Sequence, residues 1–91
     1  MEKFKVFGLE VPIITSKDLV DQGVAGMYHI DEKKITVDET HKDNLQTLMH
    51  EGGHAVFERL GWNQCIPQEV IEIIVDTYPK FIFENFKVEP L

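Results

Sequence analysis

The chain has 91 residues, 43% of them hydrophobic and 27% charged. That balance excludes wholesale disorder, collagen and coiled coil, and allows one small domain, 1–91, with a thin core. Acidic residues outnumber basic ones 16 to 9, giving a net charge of −7 and a pI near 4.9, so phosphate backbones and anionic lipid surfaces are repelled and neither nucleic acid nor membrane is an expected partner.

The single cysteine, Cys65, permits no internal disulfide, which fits a reducing compartment. No stretch approaches the about 18–20 apolar residues a bilayer span needs, and the first residues carry no secretory pattern. A cytoplasmic location is the expectation.

In chain order, the first segment is β-like. Phe4, Val6 and Leu9-Glu10-Val11-Pro12-Ile13-Ile14 supply aromatic and β-branched residues, with Gly8 as a turn and Pro12 marking an edge or an irregularity. Ser16 to Gly23 reads as a short capped helical turn. A hairpin follows, Gly26-Met27-Tyr28-His29-Ile30 and Lys34-Ile35-Thr36-Val37-Asp38, turning at Asp31-Glu32-Lys33.

The rest is helical. Thr40 with Asp43 three residues on resembles a capping box, and Leu45, Leu48, Met49, Val56 and Leu60 form a 3.6-residue stripe ending at Gly61. A first helix is predicted over 41–60. Pro67 opens a second at its first helical position, carrying Val70, Ile71, Ile74, Val75, Tyr78, Phe81 and Ile82 on one broad face. Pro79 inside it predicts a kink or an early stop. The predicted fold class is α+β: a small N-terminal antiparallel sheet or hairpin followed by two long helices.

Leu48-Met49-His50-Glu51-Gly52-Gly53-His54-Ala55 places a His-Glu-x-x-His motif in the middle of the first helix. Residues i and i+4 stack on one face, so His50 and His54 converge on one metal. Glu51 lies about 100° around the axis, beside the metal and within reach of a bound water. Two neutral imidazoles and an adjacent base are the parts metal-assisted hydrolysis needs.

A third protein ligand comes from the acids of the second helix. Glu69 falls near the centre of its polar face. Glu72 falls at the border, where a ligand faces the neighbouring helix, and is preferred, with Glu69 the fallback. Asp76, one turn on, is placed to accept the Nδ1–H of a ligand histidine.

His50-Glu51-Gly52-Gly53-His54, followed by Glu72 and Asp76 in Glu-x-x-x-Asp spacing, resembles a gluzincin-type zinc metallopeptidase. The order hairpin, motif helix, short link, acidic helix is similar to the minimal zincins of the ImmA/IrrE type and to small zincin-like proteins of phages and prophages. The resemblance covers roughly residues 24–86. It implies a Zn²⁺ cofactor held by His50, His54 and Glu72, Glu51 as general base, and a peptide or protein substrate.

The chain departs from that pattern in its missing flanking regions and in the 17 residues between His54 and Glu72, a short link. It also departs in Gly52-Gly53, which either admits a closely packed neighbour or loosens the site. The other reading within the same scaffold is a binding or regulatory module that keeps zinc structurally; a metal-free interaction domain is the third. Elsewhere, His29 and His41 read as surface histidines, Tyr28 and Tyr78 as packed tyrosines, Cys65 as a link residue and Trp62 as a lid on the core.

Overall fold

A computed structural model describes residues 2–17, 19 and 22–89. Four strands come first: β1 (Lys3–Val6), β2 (Leu9–Ser16), β3 (Gly26–His29) and β4 (Lys34–Asp38). Two helices follow, α1 (Leu45–Arg59) and α2 (Gln68–Asn85). This is the expected α+β order, but the sheet is mixed rather than wholly antiparallel. Its order is β1-β2-β4-β3, with β2 and β4 parallel and the other two pairings antiparallel.

The β1–β2 turn is Phe7-Gly8, both at positive φ (50° and 86°), as a tight two-residue hairpin requires. Pro12 sits at an irregularity within an interior strand. Residues up to Pro12 pair with β1, and pairing with β4 begins at Ile13. The missing N–H therefore falls where one ladder hands over to the next. The segment expected as a capped turn lies partly outside the described residues (18, 20 and 21). Within it, the Leu19 carbonyl accepts from Gln22 N and Val24 N, and Gly23 adopts φ +79°.

Alternation along the strands puts one face of the sheet against α1. Val6, Val11, Ile35 and Val37 are buried there with Leu48 and Ala55. α2 packs chiefly on α1, so α1 is the middle layer, covered by the sheet on one side and by Ile71, Val75 and Pro79 on the other.

Several boundaries differ from expectation. α1 begins at Leu45, not at 41, because Asn44 caps it: its Oδ1 accepts from Thr47 N at 3.2 Å. Thr40 belongs instead to a separate 3-10 turn over Glu39–His41, where the buried Asp38 carboxylate accepts both its N–H (3.0 Å) and its hydroxyl (2.6 Å). Gly61 ends α1 at φ +75°, as its position predicted, though Leu60 is exposed.

Pro67 is the N-cap of α2 rather than its first helical residue. Pro79 neither stops α2 nor shortens it; the helix continues to Asn85. The broad apolar face of α2 is narrower than its sequence implies. Ile71, Val75 and Pro79 are buried, whereas Val70, Ile74 and Phe81 face outward, because α2 has one neighbouring layer to pack on. Trp62 is not a lid on the core; it is half exposed and its ring lies 5.7 Å from that of Phe57. Among the described residues no helix is long and apolar enough to cross a membrane.

Candidate metal centre

His50, Glu51 and His54 stand together in α1, each with a ligand-type atom within 4.8 Å of the others'. The imidazoles meet edge to face, their centroids 5.3 Å apart, the stacking that i and i+4 positions dictate. α2 brings Glu72 onto them. Its Oε1 is 3.0 Å from His54 Nε2 and its Oε2 is 3.7 Å from His50 Nε2. One carboxylate thus addresses two imidazole nitrogens. Glu69, on the first turn of α2, is exposed and makes no recorded contact with either histidine among the described residues.

Asp76 lies one turn beyond Glu72, with Oδ1 3.9 Å from His50 Nδ1. That is ion-pair range but too long for a hydrogen bond, and its Oδ2 is engaged by Lys80 at 3.3 Å.

Glu51 points inward. Its side chain is 7% exposed, Oε1 is 4.0 Å from His50 Nε2, and Oε2 is buried without a hydrogen-bond partner. Burial pushes its carboxyl up to about 7, with the negative charge of Glu72 adding to the shift. Burial also holds the His54 imidazolium below its usual pKa, more strongly than Glu72 raises it, so this imidazole is neutral and ready to donate a lone pair.

This donor set fits a metal ion. It offers two imidazoles and a carboxylate aimed at one another, with an orphaned buried acceptor beside them. Glu51 is within the same cluster as the histidines, with a single approach to His50. Glu72 is the one that faces both Nε2 atoms.

Four glycine and side-chain features complete the site; Gly52 and Gly53 stood out in the sequence, whereas Gly26 and Gln68 did not. A methyl at Gly26 of β3 would lie 3.2 Å from Glu51 Cγ, so that glycine makes room for the carboxylate. One at Gly52 would lie 3.1 Å from the Phe4 ring, and one at Gly53 only 2.8 Å from Val75 Cγ1 and 3.2 Å from the Tyr78 hydroxyl. The paired glycines therefore admit closely packed neighbours, the sheet on one side and α2 on the other. Gln68 Nε2 donates to Glu72 Oε1 at 3.0 Å, an i,i+4 spacing that was legible in principle.

Tyr28 lines the cleft beside His54, yet its hydroxyl donates to Glu58 at 3.2 Å, and Lys33 pairs with the same carboxylate oxygen. Burial and the Glu58 charge push this phenol up to about 12. His29 bonds Thr36 across the outer face of the sheet and His41 approaches Thr47; neither joins the centre. Cys65 is exposed and reaches only the Gly61 carbonyl.

Two clefts open from Glu51. One, about 460 Å³, runs past His50, Asp76 and Gly26; the other, about 420 Å³, past His54, Glu72 and Tyr28. β3, an outer strand of the sheet, contributes residues to both. No protein-family model, curated protein or solved structure matches the chain.

Proposed function

We propose that this protein is a zinc-dependent peptidase of the gluzincin kind. The observation that carries the reading is the Glu72 carboxylate set against both Nε2 atoms with the buried, unpartnered Glu51 carboxylate beside them. His50, His54 and Glu72 would hold the ion. When bound, zinc polarises the scissile carbonyl and makes a neighbouring water acidic enough to lose a proton near neutral pH.

The remaining steps belong to the chain. Glu51 accepts the proton of the attacking water and returns it to the leaving amine. The walls around it keep the carboxylate away from bulk water, and His54 stays neutral for the same reason. The two clefts leave room for chain on both sides of Glu51, and a substrate strand can align along β3.

A structural zinc site has no use for Glu51, which favours the enzyme over the binding module. The test pairs zinc content with cleavage of a peptide library. His50→Ala and His54→Ala should lose tight zinc binding. Glu51→Gln should keep zinc and fold while cleavage drops by roughly 10²–10⁴-fold. Unchanged zinc content in both histidine variants would refute the centre; full zinc loading without cleavage by the wild type would replace the enzyme with the binding module.

A further inference from the structure

We propose that Tyr78 is a positioning residue for the metal centre: its hydroxyl, bonded to the Met49 carbonyl, sets the rotation of α2 on α1 and so aims Glu72 at the two histidines. The inference rests on the metal reading above.

The bond ties one helix to the backbone of the other. Tyr78 is half-buried, and its hydroxyl donates to the carbonyl oxygen of Met49 inside α1. A carbonyl has two lone pairs, so Met49 accepts this proton without leaving the helical ladder. Burial raises the phenol's pKa, and the hydroxyl remains a donor. Met49 directly precedes His50, which places the anchor one residue from a metal donor.

Three contacts then run along the helix pair: His54 with Glu72, Gly53 with Val75, and Met49 with Tyr78. Later residues of α2 meet earlier residues of α1, so the helices are antiparallel and the Tyr78 bond lies at the far end from the Glu72 contact. Two tethers about 9 Å apart along α2, six residues at 1.5 Å each, fix an angle as well as a position.

The location also matters because α2 is weakest there. Pro79 has no N–H, so the carbonyl of Val75, one turn past Glu72, loses its helical partner. A helix missing a rung can swing at that point. Tyr78, the residue before the proline, fastens it to α1 instead. The tolerance is small. At a radius of about 6 Å, a rotation of 20° carries a side chain about 2 Å, far outside the ±0.2 Å or so within which metal–ligand distances hold. Gly53 is the matching element on α1, since any side chain there would press on Val75 and on the tyrosine ring.

The experiment compares wild type, Tyr78→Phe and a control, Val11→Ala, whose side chain is fully buried in the core that packs the sheet on α1. Zinc affinity is measured by competition with a chromogenic chelator, the visible spectrum is recorded with cobalt in place of zinc, and the Tm of each metal-free protein is taken. Tyr78→Phe removes one oxygen. It should weaken zinc binding roughly tenfold, the scale at which supporting partners of metal ligands act, and change the cobalt spectrum. Val11→Ala should lower Tm at least as much and leave affinity and spectrum as in the wild type. Wild-type affinity in Tyr78→Phe, or an equal affinity loss in Val11→Ala, would overturn the positioning role. No zinc uptake by the wild type would overturn the metal reading, and this inference with it; that arm is read first.

Discussion

Glu51 holds its carboxyl where the neutral form is favoured, and this has a cost that can be read without any metal. Its folded-state pKa, about 7, stands above the ordinary 4.5. As pH rises through that window the unfolded chain gives up its proton first, so the metal-free protein should lose stability from about pH 4.5 to 7, by up to about 3 kcal/mol. His54, held below its ordinary value, slopes the opposite way below its unfolded pKa. The difference between the urea-denaturation profiles of wild type and Glu51→Gln isolates the glutamate; parallel profiles would contradict its burial as an acid. The two glycines of the motif differ in the same assay. Gly53→Ala gains helix propensity of about 1 kcal/mol but drives a methyl into Val75, and a net loss of about 1–3 kcal/mol is expected. At Gly52 the obstacle is the edge of the Phe4 ring at 3.1 Å, and Gly52→Ala should stay within about 1 kcal/mol of the wild type. The histidine pair and its glutamate were legible because an i,i+4 pattern is local. Which of the two roles open to Gly52-Gly53 holds was not, since that lies in what the fold presses against them.

The elements were legible in kind and order, and misjudged at their ends. Asp38 and Asn44 each cap a helical segment within a few residues, so the start of α1 had two competing signals, and Thr40-Asp43 belonged to neither in the expected way. Asn44→Ala should therefore cost about 1 kcal/mol in chemical denaturation, the typical value of an N-cap. Loss of less than a few tenths would return the start of α1 to the upstream turn. In α2 the apolar run Val70-Ile71-Ile74-Val75 resembled a broad buried face, but one neighbouring layer covers only the Ile71, Val75 and Pro79 side. The same wheel predicted the side on which Glu72 meets α1, because polar-to-apolar borders are where helix neighbours approach. The intrinsic cost of Pro79 predicts a kink or an early stop. The proline is tolerated because it is buried against α1 in a helix that Tyr78 also fastens.

At the scale of the molecule, the sheet order was the least legible feature. Hairpins announce themselves through turn residues, as Phe7-Gly8 and Asp31-Glu32-Lys33 do, whereas the parallel pairing of Ile13 with Ile35 joins strands with another strand between them in sequence. Nothing local encodes it. The donors His50, His54 and Glu72, by contrast, all come from a pair of helices joined by a short link. That difference has a consequence for how the chain folds in time. The His54–Glu72 loop and the Ile13–Ile35 loop are of similar length and cost similar chain entropy to close, but only the first can be held by an ion while the chain searches for the second. A cation captured between the helices would tie off part of that search early, and the middle layer would be in place as a template for the strands. Zinc should then speed refolding as well as slow unfolding. Stopped-flow refolding with zinc and with chelator reads the difference, and identical folding limbs would mean that the helices close onto the ion only after the sheet has formed.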